Sequence, residues 1–181
     1  MFYGKCGTLA ILRGLNTNPV ANPEDMLSVR IWSDGQRIIT VRHHRFQTPR
    51  DILTRRLEDQ TGPDSIRALF ERLITRLTER MSGVIIGFDG SLDEADAVLT
   101  TRKPLAARKC IRETRQDILT LRRYMAPQRD AVTMLYAEPL KGLDEIDRLR
   151  LRETANRLMQ YVEELDAARE WASILDDSIG N

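Results

Sequence analysis

The C-terminal stretch of the chain narrows the fold more than any other feature. Leu151, Leu158, Leu165, Ala172 and Ile179 recur at strict seven-residue spacing. A seven-residue apolar repeat lays one stripe along a helix, and such a stripe packs on partner helices at a shallow angle. A helix from near Leu143 to about Ile179 spans roughly 55 Å at 1.5 Å per residue, longer than a compact domain requires. A companion seam of Ala155, Val162, Arg169 and Asp176 begins apolar and turns charged toward the C-terminus.

Partner helices are legible upstream. After Gly62-Pro63 the apolar residues fall at Ile66, Phe70, Leu73, Leu77 and Met81, then Ile85, Phe88, Leu92, Ala95 and Leu99. Steps of three and four keep one stripe on one face, so this span reads as one long or bent helix. Gly83, Gly87 and Gly90 weaken its middle, each by up to about 1 kcal/mol relative to Ala. A second helix follows Pro104, with Ala107, Ile111, Thr114, Ile118, Leu121 and Met125 on its stripe. The register continues past Pro127 to Val132 and Leu135, which predicts a kinked continuation, ended by Glu138-Pro139 and Lys141-Gly142.

The first sixty residues read differently. Residues 8–13 form a short apolar run. Leu27, Val29 and Ile31 alternate with Ser28, Arg30 and Trp32, the period of a half-buried strand. Ser33-Asp34-Gly35-Gln36 supplies a tight turn of the type I′ kind, and a return strand runs from about Arg37 to Arg45. A short helix from about Pro49 to Glu58 follows, capped by Thr48. The predicted class is α+β: a small sheet-and-helix part over 1–60, then a bundle of long antiparallel helices over 61–181.

Composition excludes several functions. With 28 Lys and Arg against 27 Asp and Glu, the net charge is +1, so no global field favours nucleic acid or anionic lipid. Cys6 and Cys110 are far apart and read as free thiols of a reducing compartment. No window approaches the roughly 20 apolar residues of a membrane helix, and the first residues lack a signal-peptide pattern; the chain as it stands reads as soluble. Phosphate-loop glycines, a nucleophile elbow and zinc-finger spacings are all missing, so no enzyme and no required cofactor is expected. The acidic run Asp89–Asp96 does not match a calcium loop, which needs glycine at position six; it reads as a solvated helix face. The basic run Arg102, Lys103, Arg108, Lys109 and Arg112 has Glu113 and Asp117 close behind and reads as an ion-paired surface. The candidate metal-binding residues are Asp176 and Asp177, adjacent carboxylates near the end of the last helix, and His43 at the end of the return strand.

Three blocks of sequence resemble a known family. Leu12-Arg13-Gly14-Leu15-Asn16-Thr17-Asn18-Pro19, with Pro23-Glu24-Asp25-Met26 and Val29-Arg30-Ile31-Trp32, resembles the strand-loop-strand segment of the ZntB branch of CorA-type divalent-cation transporters. Leu119-Thr120-Leu121-Arg122-Arg123-Tyr124-Met125-Ala126-Pro127-Gln128-Arg129-Asp130 is similar to the penultimate soluble helix of that superfamily. The last helix, through Asp166-Ala167-Ala168-Arg169 and Leu175-Asp176-Asp177, resembles their stalk helix, which places a stalk at 143–181.

The resemblance implies the cytoplasmic part of a zinc transporter on the inner face of a bacterial inner membrane. It implies a homopentameric funnel leading divalent cations to a pore, with the first part of the α/β domain and the membrane helices lying outside this chain. Nucleic acid is not among the implied partners. The regulatory metal site of the magnesium branch is not carried over, because its stalk acid matches Arg169 or Glu170. Magnesium transport, or a soluble coiled-coil scaffold, are the alternatives.

Overall fold

The computed structural model describes residues 2–4, 7–19, 21–22, 24–43, 47–58, 62–99, 104–137 and 143–180. Among these residues four strands, β1 (Phe2–Gly4), β2 (Gly7–Gly14), β3 (Leu27–Ser33) and β4 (Ile38–Arg42), form an antiparallel meander in chain order. Alternation decides the faces of this sheet. Ala10 and Leu12 on β2 pair with Ile31 and Val29 on β3, and none of the four is more than 1% exposed. On the opposite face Ile11, Arg30 and Val41 lie side by side across three strands and are exposed.

The hairpin is present, but its loop is longer than a type I′ turn. The last pair, Ser33 with Ile38, encloses residues 34–37. The Asp34 carboxylate accepts from the backbone N–H of Gln36 and of Arg37 at 3.0 and 2.9 Å, and it also pairs with the Arg37 guanidinium. These bonds to the carboxylate stabilise a four-residue loop. Gly35 supplies the positive φ, 87°. The expected extension of the return strand to Arg45 lies outside the described residues beyond His43.

Among the described residues five helices follow: α1 (Gln47–Glu58), α2 (Ile66–Glu79), α3 (Ser82–Leu99), α4 (Pro104–Ala137) and α5 (Glu145–Gly180). Thr48, expected as a cap, lies inside the first turn of α1 and is buried. The helix expected over 66–99 is divided at Arg80 and Met81. There the Met81 N–H donates to Thr78 O, three residues back, and the Ser82 hydroxyl donates to Glu79 O. One tightened turn thus separates α2 from α3 without losing phase, since Phe70, Leu73, Leu77, Met81, Ile85, Phe88, Leu92 and Ala95 are all buried. The three glycines lie downstream, inside regular α3.

Caps fix two of the helix starts. The Ser65 hydroxyl accepts from the Ala68 N–H at 3.1 Å. Ser65→Ala is expected to lower stability by about 1 kcal/mol, read as a lower urea midpoint at unchanged slope. Asp144 does the same for α5, accepting from the Asp147 N–H at 2.7 Å, and Glu145 and Asp147 place negative charge in the first turn, where the helix dipole favours it.

α4 continues through Pro127 without interruption, as the register predicted. The next residue, Gln128, is buried and accepts from the Arg13 backbone N–H at 2.7 Å, tying β2 to α4. The Arg13 guanidinium lies 4.1 Å from the centre of the Tyr124 ring, and Arg123 lies 5.1 Å from it. α4 and α5 are antiparallel: Arg122 meets Asp166, and Arg108, further back on α4, meets Asp176, further on along α5. Arg122 grips Asp166 with two bonds of 2.5 and 3.0 Å, which hold the Asp166 carboxyl below the usual carboxylate range.

The seven-residue seam on α5 holds from Leu151 through Leu158 and Leu165 to Ala172, and only its charged companion departs from expectation. Leu151, Ala155, Leu158 and Val162 are buried as expected. Beyond them the buried residues are Leu165, Ala168, Ala172 and Leu175, while Arg169 is exposed. In the companion seam Arg169 is exposed, whereas Asp176, one heptad on, is half-buried against Arg108 of α4.

Candidate functional site

The root of α5, where it meets α2, holds the most unusual chemistry among the described residues. Glu71 on α2 is fully buried. Its Oε1 accepts from the Thr75 hydroxyl at 2.6 Å, whereas Oε2 is buried with no hydrogen-bond partner. The Thr75 hydroxyl also lies 2.8 Å from that of Thr154 on α5, which donates to Arg150 O at 2.8 Å. A cavity of about 720 Å³ opens beside these groups, walled also by Asp51, Asp64, Arg72, Arg76, Asp144, Asp147 and Arg150.

Burial pushes the Glu71 carboxyl above its ordinary value; the Thr75 hydroxyl and Arg150 pull it down, and Asp147 adds to the rise. Asp147 is itself raised, first by burial and then by Asp144. Two neighbouring acids therefore both hold their protons more firmly than free side chains do. Arg80 pairs with Asp51 and closes α1 onto the end of α2.

The sequence-predicted metal residues lie elsewhere and do not converge. Asp176 is half-buried in the last turns of α5, its Oδ1 3.6 Å from Arg108 Nε. Asp177 is exposed. His43 is exposed and borders a separate cavity of about 710 Å³ with Asn16, Asn18, Asp25, Arg30 and Tyr124. Tyr124 and Arg108 are separated by sixteen positions of one helix, on the order of 24 Å, and that spacing keeps His43 far from Asp176. No group of three or more His, Cys, Asp or Glu among the described residues could hold a metal ion.

A third cluster, Glu24 and Asp25 beside Glu113 and Asp117 on α4, is read from electrostatics: burial raises the Asp117 carboxyl, and Glu24, Glu113 and Asp25 each add to the rise. The expected ion-paired face of α4 is present in the Lys109–Glu113 pair at 3.7 Å. The run Asp89–Asp96 lies within regular α3, as a helix face and not a loop.

Glu71 escaped sequence reasoning. The stripe Phe70, Leu73 and Leu77 places it one step off the apolar face. Its burial follows because α2 packs on the sheet, on α1 and on α5 at once. The available signal was the buried width of that helix, on which Ile74 and Thr78 join the stripe on Glu71's side.

Comparison with known proteins identifies relatives of the whole chain. The zinc transport protein ZntB of Yersinia enterocolitica is 32% identical over 176 residues, which is 97% of this chain and 53% of that protein. The structure of the full-length CmaX protein superimposes with a TM-score of 0.88 at 32% identity, over 99% of this chain and 55% of that one. The ZntB cytoplasmic domain of Vibrio parahaemolyticus shares the fold, with a TM-score of 0.81 at 24% identity over 98% of this chain and 70% of that one. The chain thus spans about half the length of the curated relative it matches. No described helix is long and apolar enough to cross a membrane. The sequence profile described as CorA-like Mg2+ transporter protein matches residues 3–181, and the chain belongs to that family.

Proposed function

We propose that this chain is the cytoplasmic part of a divalent-cation transporter that moves zinc in its full-length form. The observation that carries the reading is the match to a zinc transport protein over 97% of the chain. The family description names magnesium, so the cation is the point to test. A 36-residue α5 supports a role as the stalk that continues toward a membrane pore. Its outward side near the C-terminus carries the exposed Trp171 and Ile174 together with Arg169, Glu170 and Asp177. Such a side suits neighbouring copies in a pentameric funnel on the cytoplasmic face of the inner membrane. Asp176 and Asp177 sit at the far end of that helix, where carboxylates raise the local concentration of cations entering a pore.

The test is uptake by the full-length protein in liposomes, with zinc and magnesium compared at equal activity. Zinc uptake well above magnesium uptake is the expected outcome, and Asp176→Asn with Asp177→Asn is expected to raise the zinc concentration giving half-maximal rate several-fold. Magnesium uptake without zinc uptake would assign the chain to the magnesium branch. Uptake of neither cation would sink the transport reading.

A further inference from the structure

We propose that Glu71 is a proton-operated lock on the root of α5: neutral, it closes α2 against α5, and charged, it loosens that seam. The inference goes beyond the transport reading and does not depend on it.

Hydrogen accounting carries the argument. Three short contacts run in series, from Glu71 Oε1 to Thr75 Oγ1 at 2.6 Å, from Thr75 to Thr154 at 2.8 Å, and from Thr154 to Arg150 O at 2.8 Å. Each hydroxyl owns one hydrogen, and an ionised carboxylate owns none. With Glu71 charged, two hydrogens must serve three contacts. Thr75 turns to the carboxylate, and Thr154 then serves either Thr75 or Arg150 O, leaving two lone pairs facing each other. With Glu71 protonated there are three hydrogens for three contacts. Each group then donates once along the chain, and the last bond ends on a backbone carbonyl of α5.

The surroundings compensate the charge only in part: burial outweighs the favourable effects of Thr75, Arg150 and Arg72. Glu71 is fully buried and Oε2 has no partner, so ionisation leaves a desolvated oxygen unsatisfied. On its own helix Arg72 and Arg76 line the adjoining cavity, but Arg76 is engaged by Glu79 at 2.8 Å. From α5 come Asp147, buried, and Arg150, whose guanidinium is directed to Asp147 at 3.7 Å. From α1 comes Asp51, paired with Arg80, and the connecting segments add Asp64 and Asp144. The acids around the cavity outnumber the arginines.

The direction of the pH dependence follows. Burial raises the Glu71 carboxyl above its unfolded value of 4.5. Between the two values the folded state holds more protons than the unfolded chain, and stability therefore falls as pH rises. The seam is at full strength below the unfolded value, and its weakening is complete above the folded one.

Hydrogen exchange over α2 and the first turns of α5, corrected for intrinsic rate, reads the lock directly in the whole chain. Protection there is expected to fall several-fold as pH rises above the unfolded value of 4.5, as the proton held by the folded state is given up. Glu71→Gln, whose amide supplies the third hydrogen without a charge, is expected to stay protected and flat. A variant with the wild-type slope would overturn the proposal. So would loss of the slope in a His43→Gln, His44→Gln double variant, in which Glu71 is unchanged. Independently of any variant, carbon-13 titration of the wild-type Glu71 carboxyl is expected to give a raised value. A value at or below that of a free glutamate refutes the lock.

Discussion

Leu158→Ala is expected to destabilise the chain by about 4 kcal/mol, toward the upper end of the range for buried leucines. Leu158 is fully buried at the middle of the α5 seam. α5 packs on α2, α3 and α4, so the cavity left by truncation faces helices that are held from several sides and relax little. A domain of this size has roughly 5–15 kcal/mol in total, and this one side chain removes a large share. Urea unfolding is expected to show a much lower midpoint at unchanged slope. The thermal midpoint is expected to fall by roughly 8–16 °C. Met159→Ala, one position on, is the control: Met159 is 48% exposed, and a surface change is expected within about 0.5 kcal/mol. Equal losses at both positions would mean that α5 is not seated on the bundle by this seam.

That asymmetry explains what the sequence could reveal. Spacing alone located α5, the stripe through α2 and α3, the passage of α4 through Pro127 and the β3–β4 hairpin, because each is a local period printed in consecutive residues. Three features depended on what arrives from elsewhere. The fate of the charged companion seam depended on which side of α5 the other helices cover: Ala168 and Leu175 take the buried places and Arg169 is exposed. The four-residue hairpin loop depended on the Asp34 carboxylate catching two backbone N–H groups, a contact that competes with the two-residue turn that Asp-Gly alone suggests. The Glu71 cluster depended on Thr154 arriving beside Thr75 from a helix 79 residues away in sequence. No spacing rule brings a polar residue of α2 and one of α5 together; only the docking of two helices does.

Replacing Gly83, Gly87 and Gly90 together by Ala is expected to raise stability by about 2–3 kcal/mol, the sum of up to about 1 kcal/mol at each helical position. All three lie inside α3 on its exposed side, and a Cβ at any of them meets nothing within 4 Å. The gain comes mainly from the unfolded chain, which has fewer conformations to lose when Ala replaces Gly. Gly7 shows the opposite situation: its φ is +147° and a Cβ there would stand 2.7 Å from Ser33 O. The sheet glycine is fixed by backbone approach, while those of α3 serve no packing purpose within one copy. Stability and assembly therefore separate in the triple variant. A higher urea midpoint with unchanged oligomeric state in the full-length protein is expected if α3 faces solvent throughout. A higher midpoint with weakened assembly would locate a close helix contact on that bare face. An unchanged or lower midpoint would contradict the regular, unencumbered helix on which the expectation rests.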